Sequence, residues 1–257
     1  MDKTQININN RVAMKIEYDG TRYHGSQYQK NASSVQQELE RSASKFTGHA
    51  TRVKLAGRTD AGVHAEGQVI AFDTCVRRSA HSFMMGINHF LPSDIRVKSV
   101  HYVPMGFDPR RQAISRRYRY SILNDTLTSV FWSRYSHHEK HPLDIDRMRL
   151  CLPYIMGKRN FAPFSAPVPP EKQTVREIYD AHLLKSGNMI TFEVEGNAFL
   201  PQQVRRIASA LIQVGVGKME CKEFHTLANS DRLGACNTVA PPNGLCLMKV
   251  KYNNDFI

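Results

Sequence analysis

The residues best suited to chemistry lie in one nine-residue stretch, Gly57-Arg58-Thr59-Asp60-Ala61-Gly62-Val63-His64-Ala65, where a lone carboxylate follows an arginine by two positions between two glycines. Such a carboxylate suits nucleophilic or electrostatic work. The pair could equally be an ordinary turn ion pair, and loop plus pair alone does not separate the two. Thr51 to Ala56 alternates as a short strand before the stretch, and Gly67 to Phe72 reads as another after it. Asp60 is therefore expected on a loop presented by two strands. Gly57 and Gly62 supply backbone conformations and close approaches that a side chain forbids.

Other stretches bear on function. Arg110, Arg111, Arg116, Arg117 and Arg119 crowd ten positions around Tyr118 and Tyr120. On a strand, Arg116, Tyr118 and Tyr120 share one face and Arg117 and Arg119 the other. Charges can keep an edge strand soluble. Five arginines beside a tyrosine exceed that need and suit phosphate contacts with a ring for base stacking. In a helix starting near Gln202, Val204, Ile207, Ala208, Leu211 and Ile212 define the buried face. Arg206 then points to solvent. Arg205 sits at the border of the core, where a guanidinium needs an anion, with Asp60 one candidate and a structural ion pair another. Ala240 to Leu247 reads as a turn into a buried strand.

Three patterns look functional and are not. Gly215-Val216-Gly217-Lys218 resembles half a phosphate loop, but Met219 stands where Ser or Thr is needed, and the helix precedes it. His137, His138 and His141 have no cysteine or acidic cluster to complete a metal site. Asn31-Ala32-Ser33 matches a glycosylation triplet only as chance would.

The elements that must position these residues fill two successive patterns. The first has a strand at Val12 to Tyr18, a helix begun by a Ser34–Gln37 capping box with Val35, Leu39, Ala43 and Phe46 on one face, the strands flanking Asp60, a helix at Ser79 to Phe90 and a strand at Ile95 to Val103. The second has strands at Ala113 to Leu123, Thr174 to Leu184 and Met189 to Gly196, helices at Asp144 to Ile155 and from Gln202, and a last strand at Leu245 to Tyr252. We expect an α+β protein of two similar halves, 1–105 carrying the Asp60 loop and 106–257 completing the site. With 257 residues the core is ample. The polar start, Met1 to Arg11, lacks the apolar core of a signal peptide, and no apolar run is long enough for a membrane span, so a cytoplasmic protein is expected. The net charge of +12 divides into about +5 before Gly106 and about +7 from there on, which favours a polyanionic partner. Five cysteines without C-x-x-C spacing suggest reduced thiols rather than a disulfide framework or a zinc site.

The nine-residue stretch resembles the signature of the TruA family of tRNA pseudouridine synthases. The likeness continues in the family's order through Glu17 to Thr21 with Gly25 and Gln27; Ser34-Val35-Gln36; Gly67-Gln68-Val69; Asn88 with Leu91 to Ile95; Arg116 to Tyr120; Asn160-Phe161; Asn197 to Leu200 with Val204-Arg205; and Ala240 to Leu247. Three departures stand out. Ser26 replaces a usual tryptophan, Asp108-Pro109 a common His-Ala, and Gln203 a usual methionine.

The resemblance implies two halves whose mainly antiparallel sheets, with helices on one face, form a central basic cleft. It also implies a homodimer that binds tRNA and needs no metal or cofactor. The implied reaction isomerises uridine to pseudouridine in the anticodon stem-loop, at tRNA positions 38, 39 and 40. Breaking the N1–C1′ bond develops positive charge on the ribose, so Asp60 takes the catalytic role as attacking or stabilising carboxylate. Arg205 would keep it ionised and oriented. Arg58 would prop the space a flipped base leaves, Tyr118 would stack on the freed uracil, and Leu245 would wall it opposite. Arg111, Arg116 and Arg117 would hold the RNA backbone. A catalytically silent RNA-binding protein would share the charge and aromatics but has no use for the Asp60, Arg58, Tyr118 and Arg205 set. A nucleoside-processing glycosidase would need a second catalytic carboxylate, and no paired motif appears.

Overall fold

The computed structural model describes residues 10–253. Most of the Met1 to Arg11 stretch thus lies outside the described residues. In chain order the elements are β1 (Asn10–Tyr18), α1 (Val35–Thr47), β2 (Lys54–Leu55), β3 (His64–Thr74), α2 (Ala80–Phe90), β4 (Ile95–Val103), β5 (Ser115–Asn124), β6 (His137–Glu139), α3 (Ile145–Leu150), β7 (Gly157–Asn160), β8 (Val175–Ser186), β9 (Met189–Gly196), α4 (Gln203–Gly215), α5 (Cys221–Ala228) and β10 (Leu245–Lys251). They form two compact units, Met1–Ile114 with Leu247–Ile257, and Ser115–Cys246.

The first unit's sheet has strand order β4-β1-β3-β10, with β2 added to β3. β1 pairs antiparallel with both neighbours, Met14 facing Ile70 on one side and Val100 on the other. Val12, Ala13, Met14 and Ile16 are fully buried, which marks β1 as the centre of this core. Ser34 caps α1 by accepting the Gln37 N–H at 3.3 Å, and Val35, Leu39 and Ala43 are buried as the periodicity requires.

The strand expected over Thr51 to Ala56 shrinks to the two residues of β2. Side chains of α1 and its last turn take the backbone groups a ladder would use. Glu40 accepts the Val53 N–H at 3.1 Å, Gln36 donates to the Val53 carbonyl at 3.1 Å, and Ser44 accepts the Thr51 N–H at 3.0 Å. Thr51 and Val53 are tied to the helix, and only from Lys54 does the segment join the sheet.

The second unit's sheet runs β5-β9-β8-β7, antiparallel throughout, with β6 parallel on the end of β5. Tyr120, Ile122, Ile190, Phe192, Val194 and Leu183 share its buried side with Ile207 and Leu211 of α4. The helix expected over Asp144 to Ile155 divides into α3 and a 3-10 turn, Leu152–Ile155. Pro153 has no N–H and its ring conflicts with the preceding turn, so the α-helix ends before it. Among elements without a sequence expectation, β6, β7 and α5 are each eight residues or shorter.

The expected boundary between residues 105 and 106 lies earlier than the division into units. Residues 106–114 stay with the first unit because its last strand holds them there: the Ile114 N–H donates to the Lys251 carbonyl at 2.8 Å, the Tyr252 hydroxyl donates to the Pro109 carbonyl at 2.7 Å, and Phe107 packs on Tyr252. The chain returns at its end to complete the sheet it began.

Glu40 is 8% exposed and its carboxylate also binds Gln36 and Arg52. Replacing it by alanine leaves the buried Val53 N–H unsatisfied, at a cost of about 1–3 kcal/mol. Glu40→Ala should lower the urea midpoint accordingly, with the m-value unchanged.

Candidate active site

In the first unit the loop that carries Asp60 is gripped by the loop between β1 and α1. Thr59, next to Asp60, is held at three points. Its N–H donates to Ser26 Oγ at 2.8 Å, its carbonyl accepts the Ser26 N–H at 3.0 Å, and its hydroxyl pairs with Tyr18 at 2.8 Å. Ser26 is fully buried and Thr59 is 8% exposed, so water does not compete for these bonds. Ser26, where the family usually has tryptophan, thus supports the site rather than facing RNA.

The two loops approach too closely for side chains at the contact. A Cβ on Gly20 would lie 2.0 Å from the Val63 carbonyl oxygen, and one on Gly25, at φ +98, would lie 2.9 Å from that of Thr59. Gly20 also donates its N–H to Nδ1 of the buried His64 at 3.0 Å. Asp60 opens a turn closed by the Val63 N–H on its carbonyl at 3.2 Å, with Gly62 at φ 77 in the third position. That φ is what a type II turn requires there, and glycine meets it without strain. At the other end Gln68, fully buried within the apolar run of β3, donates to the Gly57 carbonyl at 2.9 Å. The result is a fixed backbone with Asp60 half-buried and Arg58 exposed.

The entry to α1 is fixed separately. The Tyr23 hydroxyl donates to Asp94 Oδ1 at 2.6 Å, and burial, with that carboxylate beside it, raises the phenol far above its ordinary range. Tyr23 also accepts the Gly62 N–H on its carbonyl at 3.3 Å, so its position is transmitted to the Asp60 turn.

In the second unit the buried side of β5 carries Arg116, Tyr118 and Tyr120, as alternation requires. Tyr118 meets Phe199 edge-on at 5.2 Å, and Arg116 Nη1 donates to the Asn197 carbonyl at 2.7 Å. Arg205 staples α4 to the segment before β10: its Nε donates to the Ala240 carbonyl at 2.8 Å, and its own carbonyl accepts the Ala240 N–H at 3.2 Å. The Tyr120 hydroxyl donates to the neighbouring Pro241 carbonyl at 2.9 Å. Burial raises its phenol strongly, against the opposing charge of Arg205. These bonds bring Arg205, Tyr120 and the Ala240-to-Leu245 segment together, with Leu245 buried at its end. Gln203, at the usual methionine position, accepts the Leu200 N–H on its side chain at 2.8 Å and helps start α4.

Two arginine expectations change. Arg206, expected in solvent, donates from Nη1 to the Cys236 carbonyl and from Nη2 to Gln202 Oε1 at 3.1 Å. Arg117 lies on the sheet side opposite Tyr118 and binds Glu195 Oε2 through Nε and Nη2 at 2.9 and 2.7 Å, while Arg119 does the same with Glu193 one row along. Arg58, Arg110 and Arg111 are exposed. Two of the three histidines bind within the fold instead: His138 donates to the Asp125 carbonyl at 2.7 Å and His141 contacts Glu139 at 2.8 Å. Among the described residues no group of three or more His, Cys, Asp and Glu is placed to hold a metal ion.

The sequence reading missed Tyr120 and Gln68 as positioning groups. For Gln68 the signal was present, since an amide inside the run from Val69 to Phe72 demands a buried partner. Ser26 gave no such signal.

Both units are of the α+β class: the first holds a carboxylate on a rigid glycine turn, and the second fixes Arg205, Tyr120 and Leu245 together. The family described as tRNA pseudouridine synthase matches residues 14–110 and 153–253. The chain is 40% identical over 242 residues to a tRNA pseudouridine synthase A of Geobacter sp. (strain M21), covering 94% of this chain and 98% of that one. It is 39% identical over 242 residues to that of Geotalea daltonii, covering 94% and 99%, and 38% identical over 247 residues to that of Pseudomonas aeruginosa, covering 96% and 87%. The chain belongs to the tRNA pseudouridine synthase family. Asp60, Arg58, Arg205 and Leu245 fall within the matched residues, whereas Tyr118 falls between them.

Ser26→Ala removes the acceptor for the buried Thr59 N–H and should cost about 1–3 kcal/mol. Gly20→Ala, which sets a methyl group against backbone, should cost more, and urea unfolding of the two variants beside the unaltered protein will rank them.

Proposed function

We propose that this protein isomerises uridine to pseudouridine in tRNA, at positions 38, 39 and 40 of the anticodon stem-loop, in the cytoplasm and as a homodimer. The reading is carried by Asp60 on a loop whose backbone is fixed by buried hydrogen bonds, in a chain whose family membership spans both units.

In this proposal the N1–C1′ bond breaks, the uracil turns while still bound, and C5 bonds to C1′, the C5 proton leaving while N1 takes one up. Asp60 attacks or stabilises the nucleoside as positive charge develops on the ribose. Arg205 is the cation that orients it. Its staple to Ala240 supports that role, because a guanidinium held by backbone keeps its charge in one place. Target bases in a stem are stacked, so the nucleotide must flip out first. Arg58, exposed and adjacent to the Thr59 grip, props the vacated space. Tyr118 stacks on the uracil and Leu245 walls it. Phosphate contacts fall to the exposed Arg111 and Arg110, because Arg116 and Arg117 spend their donors inside the second unit.

The proposed second copy has support in an exposed apolar loop of the second unit. Val130 is 89% and Phe131 87% exposed, with Leu127 and Trp132 beside them. Such a patch is costly to leave in water and suits a protein contact.

Tritium release from tRNA labelled at uracil C5 tests the reaction. The unaltered chain should release it and Asp60→Asn should not; absence of release from the former sinks the proposal. Arg205→Ala should lower kcat by about 100-fold with tRNA binding retained, the scale expected for one lost orienting charge. Arg111→Ala should weaken binding and flatten its salt dependence by about one phosphate's worth. For the dimer, Phe131→Asp should shift the protein toward monomer in light scattering.

A further inference from the structure

We propose that Cys151 and Cys221 form a reversible dithiol–disulfide site in the helical layer of the second unit, oxidised by hydroperoxides. The two cysteines are 70 positions apart in sequence, yet Cys151 donates its S–H to the Cys221 sulfur at 3.2 Å. A disulfide bond is about 2.05 Å long, so closure asks for roughly 1.2 Å of further approach.

Their places in the fold give each thiol a distinct part. Cys151 ends α3 and is fully buried; burial and the neighbouring Cys221 push its thiol up to about 12, so it stays protonated at neutral pH. Cys221 opens α5 and is partly exposed, so it is the thiol that a solute can reach. The same junction is already tied once, by Arg147 Nη2 and Glu220 Oε2 at 2.8 Å. Hydroperoxide therefore reaches Cys221 first, and Cys151 waits in contact behind it.

The steps balance. The Cys221 sulfur attacks the peroxide, the O–O bond breaks, and sulfenic acid and water (or an alcohol) result. The Cys151 sulfur then attacks the Cys221 sulfur, the S–O bond breaks, and the oxygen leaves as water with the Cys151 proton. Two thiols lose two electrons and the peroxide gains them. A small dithiol reverses the change by exchange.

The other three cysteines serve as internal controls. Cys75 is exposed, Cys246 is half-buried, and Cys236 is buried with its thiol donating to the Arg206 and Thr238 carbonyls. Neither Cys151 nor Cys221 belongs to the proposed catalytic machinery, so the site stands or falls independently of the tRNA reaction.

The full-length protein is treated with hydrogen peroxide, free thiols are alkylated, and peptides are mapped by mass spectrometry. The expected product is a Cys151–Cys221 linked peptide that dithiothreitol removes and that neither Cys151→Ser nor Cys221→Ser can form. In Cys151→Ser, Cys221 should instead proceed to sulfinic acid. The oxidised unaltered protein should melt about 5–10 °C higher than the reduced one, the scale for closing a long loop. Sulfinic or sulfonic acid at Cys221 in the unaltered protein without the linked peptide, or alkylation of both thiols while Cys75 is oxidised, overturns the proposal.

Discussion

The three-point hold on Thr59 is the constraint on which the placement of Asp60 depends. Catalysis by an oriented carboxylate needs its position fixed to a fraction of an ångström, and a loop tip is ordinarily the least fixed part of a fold. Here the tip is fastened through its own backbone to Ser26 and through Thr59 Oγ1 to Tyr18, at the end of the central strand. Both partners are buried, so each bond is stronger than it would be in water and expensive to break. The glycines at 20 and 25 are the corollary, since the grip requires backbone against backbone.

The second unit solves a related problem with charge. Its arginine-rich strand looks like a phosphate-binding surface in sequence, but Arg117 and Arg119 lie in register with Glu195 and Glu193 of β9. Those acids are 6% and 8% exposed, so their charge needs a partner, and the cross-strand arginines supply it. Net charge therefore overstates what is free to meet RNA here. Arg205 illustrates the other use of a guanidinium. Its staple to Ala240 joins a helix to an irregular segment that Tyr120 and Asn243 also hold, the latter through the Ser133 and Ser136 carbonyls, and that segment delivers Leu245.

The helices of the second unit are joined by more than apolar packing. The Arg147–Glu220 pair and the touching sulfurs of Cys151 and Cys221 lie at one junction of α3 and α5. α5 is short, and short helices depend on tertiary contacts for their existence. A junction of this kind holds a helix that its own propensity would not.

The sequence by itself determined the periodic elements and the chemistry-bearing residue types. β4 and β9 match their expected spans, α1 begins at its expected Ser34 cap, α2 falls within its expected span, and alternation along β5 placed Tyr118 and Tyr120 on one side and Arg117 on the other. Those features depend on local spacing, which the chain carries in itself. Only the tertiary structure decided that Thr51 to Val53 lies along α1, that residues 106–114 belong with the last strand, that Arg117 is neutralised across the sheet, and that Ser26 grips Thr59 33 positions away. Each of these turns on which distant polar group reaches a given N–H, carbonyl or charge first, and no local pattern encodes that competition.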